Sequence, residues 1–243
     1  RDRDVTGVQT CALPIFYACT NLVGISLPES VMTVGASAFY RCSSITNVVF
    51  GENVSSLGTY AFGECAGLKT VSFGPCIRAI PQNAFKGCAG LLDASFPNSV
   101  TNVDAYAFDG CTSLTNVDFG QGVSLLGTHA FDGCRSLREI SWSPGIKSVP
   151  YGGFNGCSGL LELVLPNSVT NVEPYAFCGC TSLTNLVLST NLQTIGSFAF
   201  APCGSVETLV VPDSVRSLGS GSFSGSAELR SVILGCEIGR AHV

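Results

Sequence analysis

Charge is scarce in this chain. Only 12% of its 243 residues are Asp, Glu, Lys or Arg, the formal net charge is -5, and no cluster of Lys and Arg occurs. A nucleic-acid-binding or membrane-surface protein leaves a basic footprint, so those partners are excluded. Long apolar runs are also missing. Gly, Ser, Thr, Asn or Pro interrupts every stretch before 18 residues, so no transmembrane segment is expected in this fragment. Histidine is limited to His129 and His242, and no nucleophile–base set, phosphate-binding glycine loop or metal-ligand motif accompanies them. Catalysis and bound cofactors are therefore not expected. Methionine occurs once, at Met32, and the chain opens on Arg1, so its start and any leader peptide are expected to lie outside it.

What the chain has instead is a period. Phe39, Phe62, Phe85, Phe108, Phe131, Phe154, Phe177, Phe200 and Phe223 are 23 residues apart, and Phe16 extends the series backwards. Three residues after each Phe stands a Cys, from Cys19 through Cys203, until Ser226 breaks the row; three further on comes an aliphatic, as at Leu114 and Leu137. A fixed period with no insertion marks a stack of equivalent coils. Pro28 to Leu234 holds nine full repeats after a partial one.

The stretch from Pro97 to Phe119 shows what one repeat does. Val100 and Val103 lie three apart in a polar segment, which suits a short extended stretch with both side chains turned inward. Ala107, Phe108 and Cys111 have helical spacing, so a single helical turn burying Phe108 is expected. Leu114, Val117 and Phe119 follow, and the alternation from Val117 to Phe119 marks a strand with one buried face. Pro97, like Pro28, Pro166 and Pro212, ends the preceding strand, and Gly120 does so by admitting a tight backbone conformation. A unit of this size cannot bury its apolar faces alone, so successive coils must stack with their strands in parallel, about 4.8 Å apart.

With the recurring blocks PNSVTNV, AFxGC and CTSLTN in phase, the chain resembles the BspA-like leucine-rich-repeat family over Phe16 to Leu234. The resemblance implies a repeat solenoid: a right-handed leucine-rich-repeat coil with a parallel β-sheet, mostly strands and turns with short helical turns. It also implies an extracellular or cell-surface location, by similarity to adhesins that bind host matrix or neighbouring cells. The ends differ from the rest. Val5 to Ile15 resembles the direct translation of a short-read sequencing adapter, and Ile238 to Val243 resembles the reverse complement of a stretch of the same adapter. The expected division is thus 1–15 adapter-derived, 16–236 a single solenoid domain, and 237–243 adapter-derived.

Thirteen cysteines would ordinarily suggest disulfides or a metal. Their phase argues otherwise: nine occupy one coil position between a buried Phe and a buried aliphatic, where in-register side chains lie side by side rather than crossed, so reduced, buried thiols are expected. Cys178, two before Cys180, lacks the CxxC spacing of a metal or redox pair, and Cys76 stands at an exposed turn position. Labelling of the folded protein with a thiol reagent should reach Cys76 and Cys178. His129 replaces Tyr60, Tyr106 or Tyr175 at one repeat position, a structural variation.

Variation concentrates on the open face of the strand sheet. Two residues after the aliphatic the coils carry Asp93, Asn116, Glu139 and Glu162; four after it they carry Asp118 and then Val164, Val187, Val210 and Ile233. Stacking would gather the carboxylates into an acidic patch next to a Val/Ile strip able to bury apolar surface. The expected function is a non-catalytic module that binds a protein or glycan ligand through this face. The alternatives are a passive structural spacer within a larger surface protein, with Val present only for its β-propensity, and a thiol or metal buffer, which would need titratable native cysteines.

Overall fold

The computed structural model describes residues 15–235; the remaining residues of the two adapter-like segments, with Cys11, Cys236 and His242, lie outside it. Two parallel strands recur in every coil. One set has two residues and runs from Thr33–Val34 to Ser217–Leu218; the other has three or four and runs from Asn47–Val49 to Ser231–Leu234. Each strand pairs with its counterpart one repeat away, as in Asn102↔Leu125 and Asn116↔Glu139. The register of 23 residues is the period of the sequence carried into space. No helix occurs among the described residues.

Alternation explains both strand sets. In Asn116–Asp118 the middle residue, Val117, is buried and its neighbours face outward; in Asn102–Val103, Val103 is buried and Asn102 is not. Val100 is buried as well, from a turn that its N–H closes by donating to Pro97 C=O at 3.0 Å.

The segment from Asp104 to Cys111 departs from the helical turn that its spacing suggests. Alternate residues divide their donors between two directions. The N–H groups of Ala107, Asp109 and Cys111 close turns onto Asp104, Tyr106 and Phe108 in their own coil, while those of Tyr106, Phe108 and Gly110 reach Thr128, Ala130 and Asp132 of the next coil at 2.8–3.0 Å. A helix would direct every N–H along its own axis and leave none for the neighbour. The reversals need left-handed backbone at two positions per coil. One is Tyr106 (φ 58°), equivalent to Tyr60, His129 and Tyr175; the other is Gly110 (φ 74°), equivalent to Gly87, Gly133, Gly156 and Gly179. Glycine bears this without cost, whereas Tyr and His pay of the order of 1–2 kcal/mol each.

Inside, two aromatic ladders fill the solenoid. From Phe16 to Phe223 the rings at the first ladder position stack 5.1–5.6 Å apart and within 10° of parallel. From Phe39 to Phe200 these side chains are buried; Phe223 is partly so, and Phe16 is exposed. A second ladder, Phe50, Phe73, Phe96, Phe119 and Trp142, stacks at 5.5–5.9 Å. It meets the first edge to face, as Phe119 does Phe131 (5.6 Å, 82°). Such T-shaped contacts place a ring's positive edge on the other's negative face.

The cysteines form a third row, with a role that spacing alone does not reveal. Each buried thiol from Cys42 to Cys180 donates to the carbonyl of the Phe in the preceding coil, as Cys65 does to Phe39 (3.0 Å), Cys88 to Phe62 (3.1 Å), Cys111 to Phe85 (3.3 Å) and Cys134 to Phe108 (3.3 Å), whereas Cys203 makes no such bond. That carbonyl also accepts the N–H of the Cys in its own coil, so both of its lone pairs are used. At Ser226 the role reverses, and the hydroxyl oxygen accepts the Cys203 N–H at 3.2 Å. All described cysteines are free. Desolvation raises the thiols of Cys65 and Cys203 to about 12 and those of Cys88, Cys111, Cys157 and Cys180 well above the ordinary range. Buried and protonated, they remain unreactive. Cys19 is exposed, because no described coil covers it. Labelling of the folded protein should therefore reach Cys19, Cys76 and Cys178 among the described cysteines and spare the other eight until it is unfolded; mass spectrometry after a short iodoacetamide pulse reads this directly.

Candidate functional site

The outer face of the three-residue strands is built by the same alternation that fills the core. Ala94, Val117, Leu163, Leu186 and Leu209 point inward and are buried, so the residues on either side of each must point out. Register then aligns Asp93, Asn116 and Glu139 in one row and pairs Glu162 with Asn185 in the same row further along. In the parallel row Val164 pairs with Val187, and Val210 with Ile233.

These residues do not form one patch. The carboxylates of Asp93, Asp118, Glu139 and Glu162 fall in the earlier coils and the apolar residues in the later ones, and the two groups meet in the strand Glu162–Val164. Nor are all of them equally available. Asp93, Glu139 and Glu162 are exposed, whereas Asn116 and Asp118 are half-buried. Asp118 is committed to the fold, since its Oδ1 accepts the Gly120 N–H at 2.9 Å and so fixes the turn where Gly120 has φ 55°. Glu162 Oε1 accepts from Asn185 Nδ2 at 2.7 Å. The stripe is more open: Val164, Val187, Val210 and Ile233 keep 45–56% of their surface in solvent. Leu161, 49% exposed just before Glu162, was not among the residues expected from the sequence.

The chemistry-bearing side chains elsewhere are organised by the stack. His129 lies in the left-handed column, its ring 5.0 Å from Tyr106 and 7° from parallel. Its Nδ1 is 2.8 Å from Asp132 Oδ2, and Asp132 Oδ1 accepts from Asn155 Nδ2 at 3.0 Å. Those bonds orient the imidazole within a row of rings. Among the described residues no group of three His, Cys, Asp or Glu side chains is placed to hold a metal ion. No helix there is long and apolar enough to cross a membrane.

A right-angled pair of aromatic ladders, a thiol ladder and parallel strands in a 23-residue register describe one kind of repeat. The model of the BspA-type leucine-rich repeat region matches residues 10–138 and 101–230, in six copies. The chain belongs to the BspA-type leucine-rich repeat family. Among solved structures, this BspA-type region is similar to a leucine-rich repeat protein from Bacteroides ovatus, with 26% identity and a TM-score of 0.81 over 88% of this chain. It spans 59% of that protein's chain. It is also similar to the leucine-rich repeat protein of T. pallidum, with 30% identity and a TM-score of 0.62, over 66% of this chain and 78% of the other. The pneumococcal vaccine antigen PcpA shares the fold at 21% identity, with a TM-score of 0.58 over 89% of this chain and 63% of its own. No curated protein matches. Leucine-rich repeat regions generally serve in binding and recognition.

Proposed function

We propose that this BspA-type region is a non-catalytic recognition module, displayed on or outside a bacterial cell, that binds a protein through the outer face of its three-residue strands. The observation that carries the reading is two in-register pairs on consecutive coils, Val164 with Val187 and Val210 with Ile233, all four about half exposed. A solvated sheet face has no need of paired aliphatic side chains on four successive coils, and together they offer the dry centre that a protein interface requires. Glu139 and Glu162, next along the axis, supply charge that favours a partner with basic residues on one flank. Similarity in fold to a pneumococcal vaccine antigen supports the location.

The test is a binding screen against immobilised matrix proteins and whole cells, with Asp93→Lys, Glu139→Lys and Val187→Lys compared with the parent chain. Val187→Lys places a charge in the centre of the apolar row and should weaken binding about tenfold or more, while each acid reversal should lower it severalfold and chiefly slow association. Unchanged binding in all three variants would exclude this face.

A further inference from the structure

The sheet of two-residue strands has the opposite electrostatic character. Arg78, Lys147 and Arg216 occupy one coil position, immediately before a strand, and recur every third coil. Every other described occupant of that position, and every occupant of the next one, is uncharged, mostly Ser, Thr, Asn or Gln. Carboxylates flank the row at Asp213, three residues before Arg216, and at Asp104 and Glu173, which share one position in the coil after Arg78 and Lys147; Glu173 is held by the Tyr151 N–H at 3.0 Å and the Ser148 hydroxyl at 3.3 Å. At about 4.8 Å per coil the three cations stand about 14 Å apart along a row of about 29 Å.

Between Lys147 and Arg216 the surface opens into a groove of about 440 Å³. Asn167, Ser168, Asn191, Gln193 and Ser214 line it. With Thr170 they set hydroxyls and amides between the two cations.

The groups on this face select the ligand. A protein partner would need apolar anchors, and here only Met32 and Leu125 are large, apolar and exposed. A nucleic acid would need a denser run of cations or rings to stack its bases on, and no aromatic residue occupies these two positions. Sparse cations set among amides and hydroxyls match a chain of sugar rings with anions at intervals. We propose that this face binds a linear acidic polysaccharide along the solenoid axis, with the groove between Lys147 and Arg216 as its main subsite. This site is separate from the protein-binding face and does not depend on it.

Titration calorimetry of the purified chain with polygalacturonate, heparin, neutral dextran and a single-stranded DNA oligonucleotide tests the proposal. Binding to polygalacturonate, to heparin, or to both supports it and identifies the anion as carboxylate or sulfate; dextran should not bind. The double variant Lys147→Glu/Arg216→Glu should weaken binding about tenfold, given the modest strength of exposed charge contacts and their dependence on salt. Gln193→Ala should weaken it severalfold, and Asp93→Lys and Glu139→Lys on the opposite sheet should leave it unchanged. Unaltered thermal unfolding of each variant confirms that its fold is kept. The proposal is overturned if neither acidic glycan binds, if the double reversal has no effect, or if the DNA binds as tightly as the glycans.

Discussion

Phe108→Ala is expected to destabilise the solenoid by about 3–5 kcal/mol, read as a shift in the urea midpoint at constant slope. The side chain is fully buried and touches rings in three directions: Phe85 at 5.3 Å, Phe131 at 5.2 Å, and Phe96 edge to face at 5.7 Å. Truncation removes its transfer free energy and leaves a void that neighbours anchored to their own coils cannot fill. Because each coil is stabilised chiefly by its neighbours, the loss falls on two interfaces at once. Phe223→Ala is the matched comparison. It lies at the same coil position with the same stacking geometry on Phe200 (5.3 Å, 5°), but it is only partly buried, so its loss should be clearly smaller. Equal effects at the two positions would show that the ladder does not stabilise by burial.

The first ladder is legible in the sequence because every coil keeps the same residue type. The second is not. Its position reads Leu27, Phe50, Phe73, Phe96, Phe119, Trp142, Leu165, Leu188 and Val211, so aromatic and aliphatic residues share a column and only stacking reveals that five of them form a ladder. The turn conformation is hidden for a different reason. Glycines at 87, 110, 133, 156 and 179 announce one left-handed column, but its companion mixes Asn83, Gly152 and Gly221 with Ser37, Tyr60, Tyr106, His129, Tyr175 and Phe198, so most of its coils give no local sign of positive φ. Helical spacing from Ala107 to Cys111 was therefore a natural but incorrect guide, overridden by the demand of the next coil for N–H donors.

On the strand-bearing face, strict alternation sufficed to place Val164, Val187, Val210 and Ile233 outward. It could not show that Asp118 is spent on the Gly120 turn or that Asn185 reaches Glu162, since both depend on side-chain rotamers rather than on phase. The cationic row of the other sheet is spread over three coils, with two uncharged coils between members. Its sparse spacing hides it from any search for a basic cluster.

Alkali should unfold this protein at a pH where most folds of its size survive. The cause is the thiol ladder. Burial raises the folded-state values of Cys65 and Cys203 to about 12, against an ordinary value of 9.0, and raises the other buried thiols of the ladder as well, so the folded chain keeps protons that the unfolded chain gives up. The direction follows from linkage. Below about pH 9 the thiols are protonated in both states and their contribution to stability is complete; above it only the unfolded chain ionises, and stability falls until the folded value is reached near 12. Each buried thiol then removes about 1.4 kcal/mol per pH unit. Eight are buried. Against a total stability of about 5–15 kcal/mol, their combined loss should bring the unfolding midpoint to about pH 10. Circular dichroism between pH 8 and 11 would show the transition. Tyr and Lys titrate in the same range, so Cys111→Ala provides the control: it lowers stability at neutral pH through its cavity and the lost thiol bond to Phe85, yet it should make the alkaline slope shallower by about 1.4 kcal/mol per pH unit. A slope that is unchanged in that variant, or a melting temperature that holds steady from pH 8 to 10.5, would show that the thiols are not what alkali attacks.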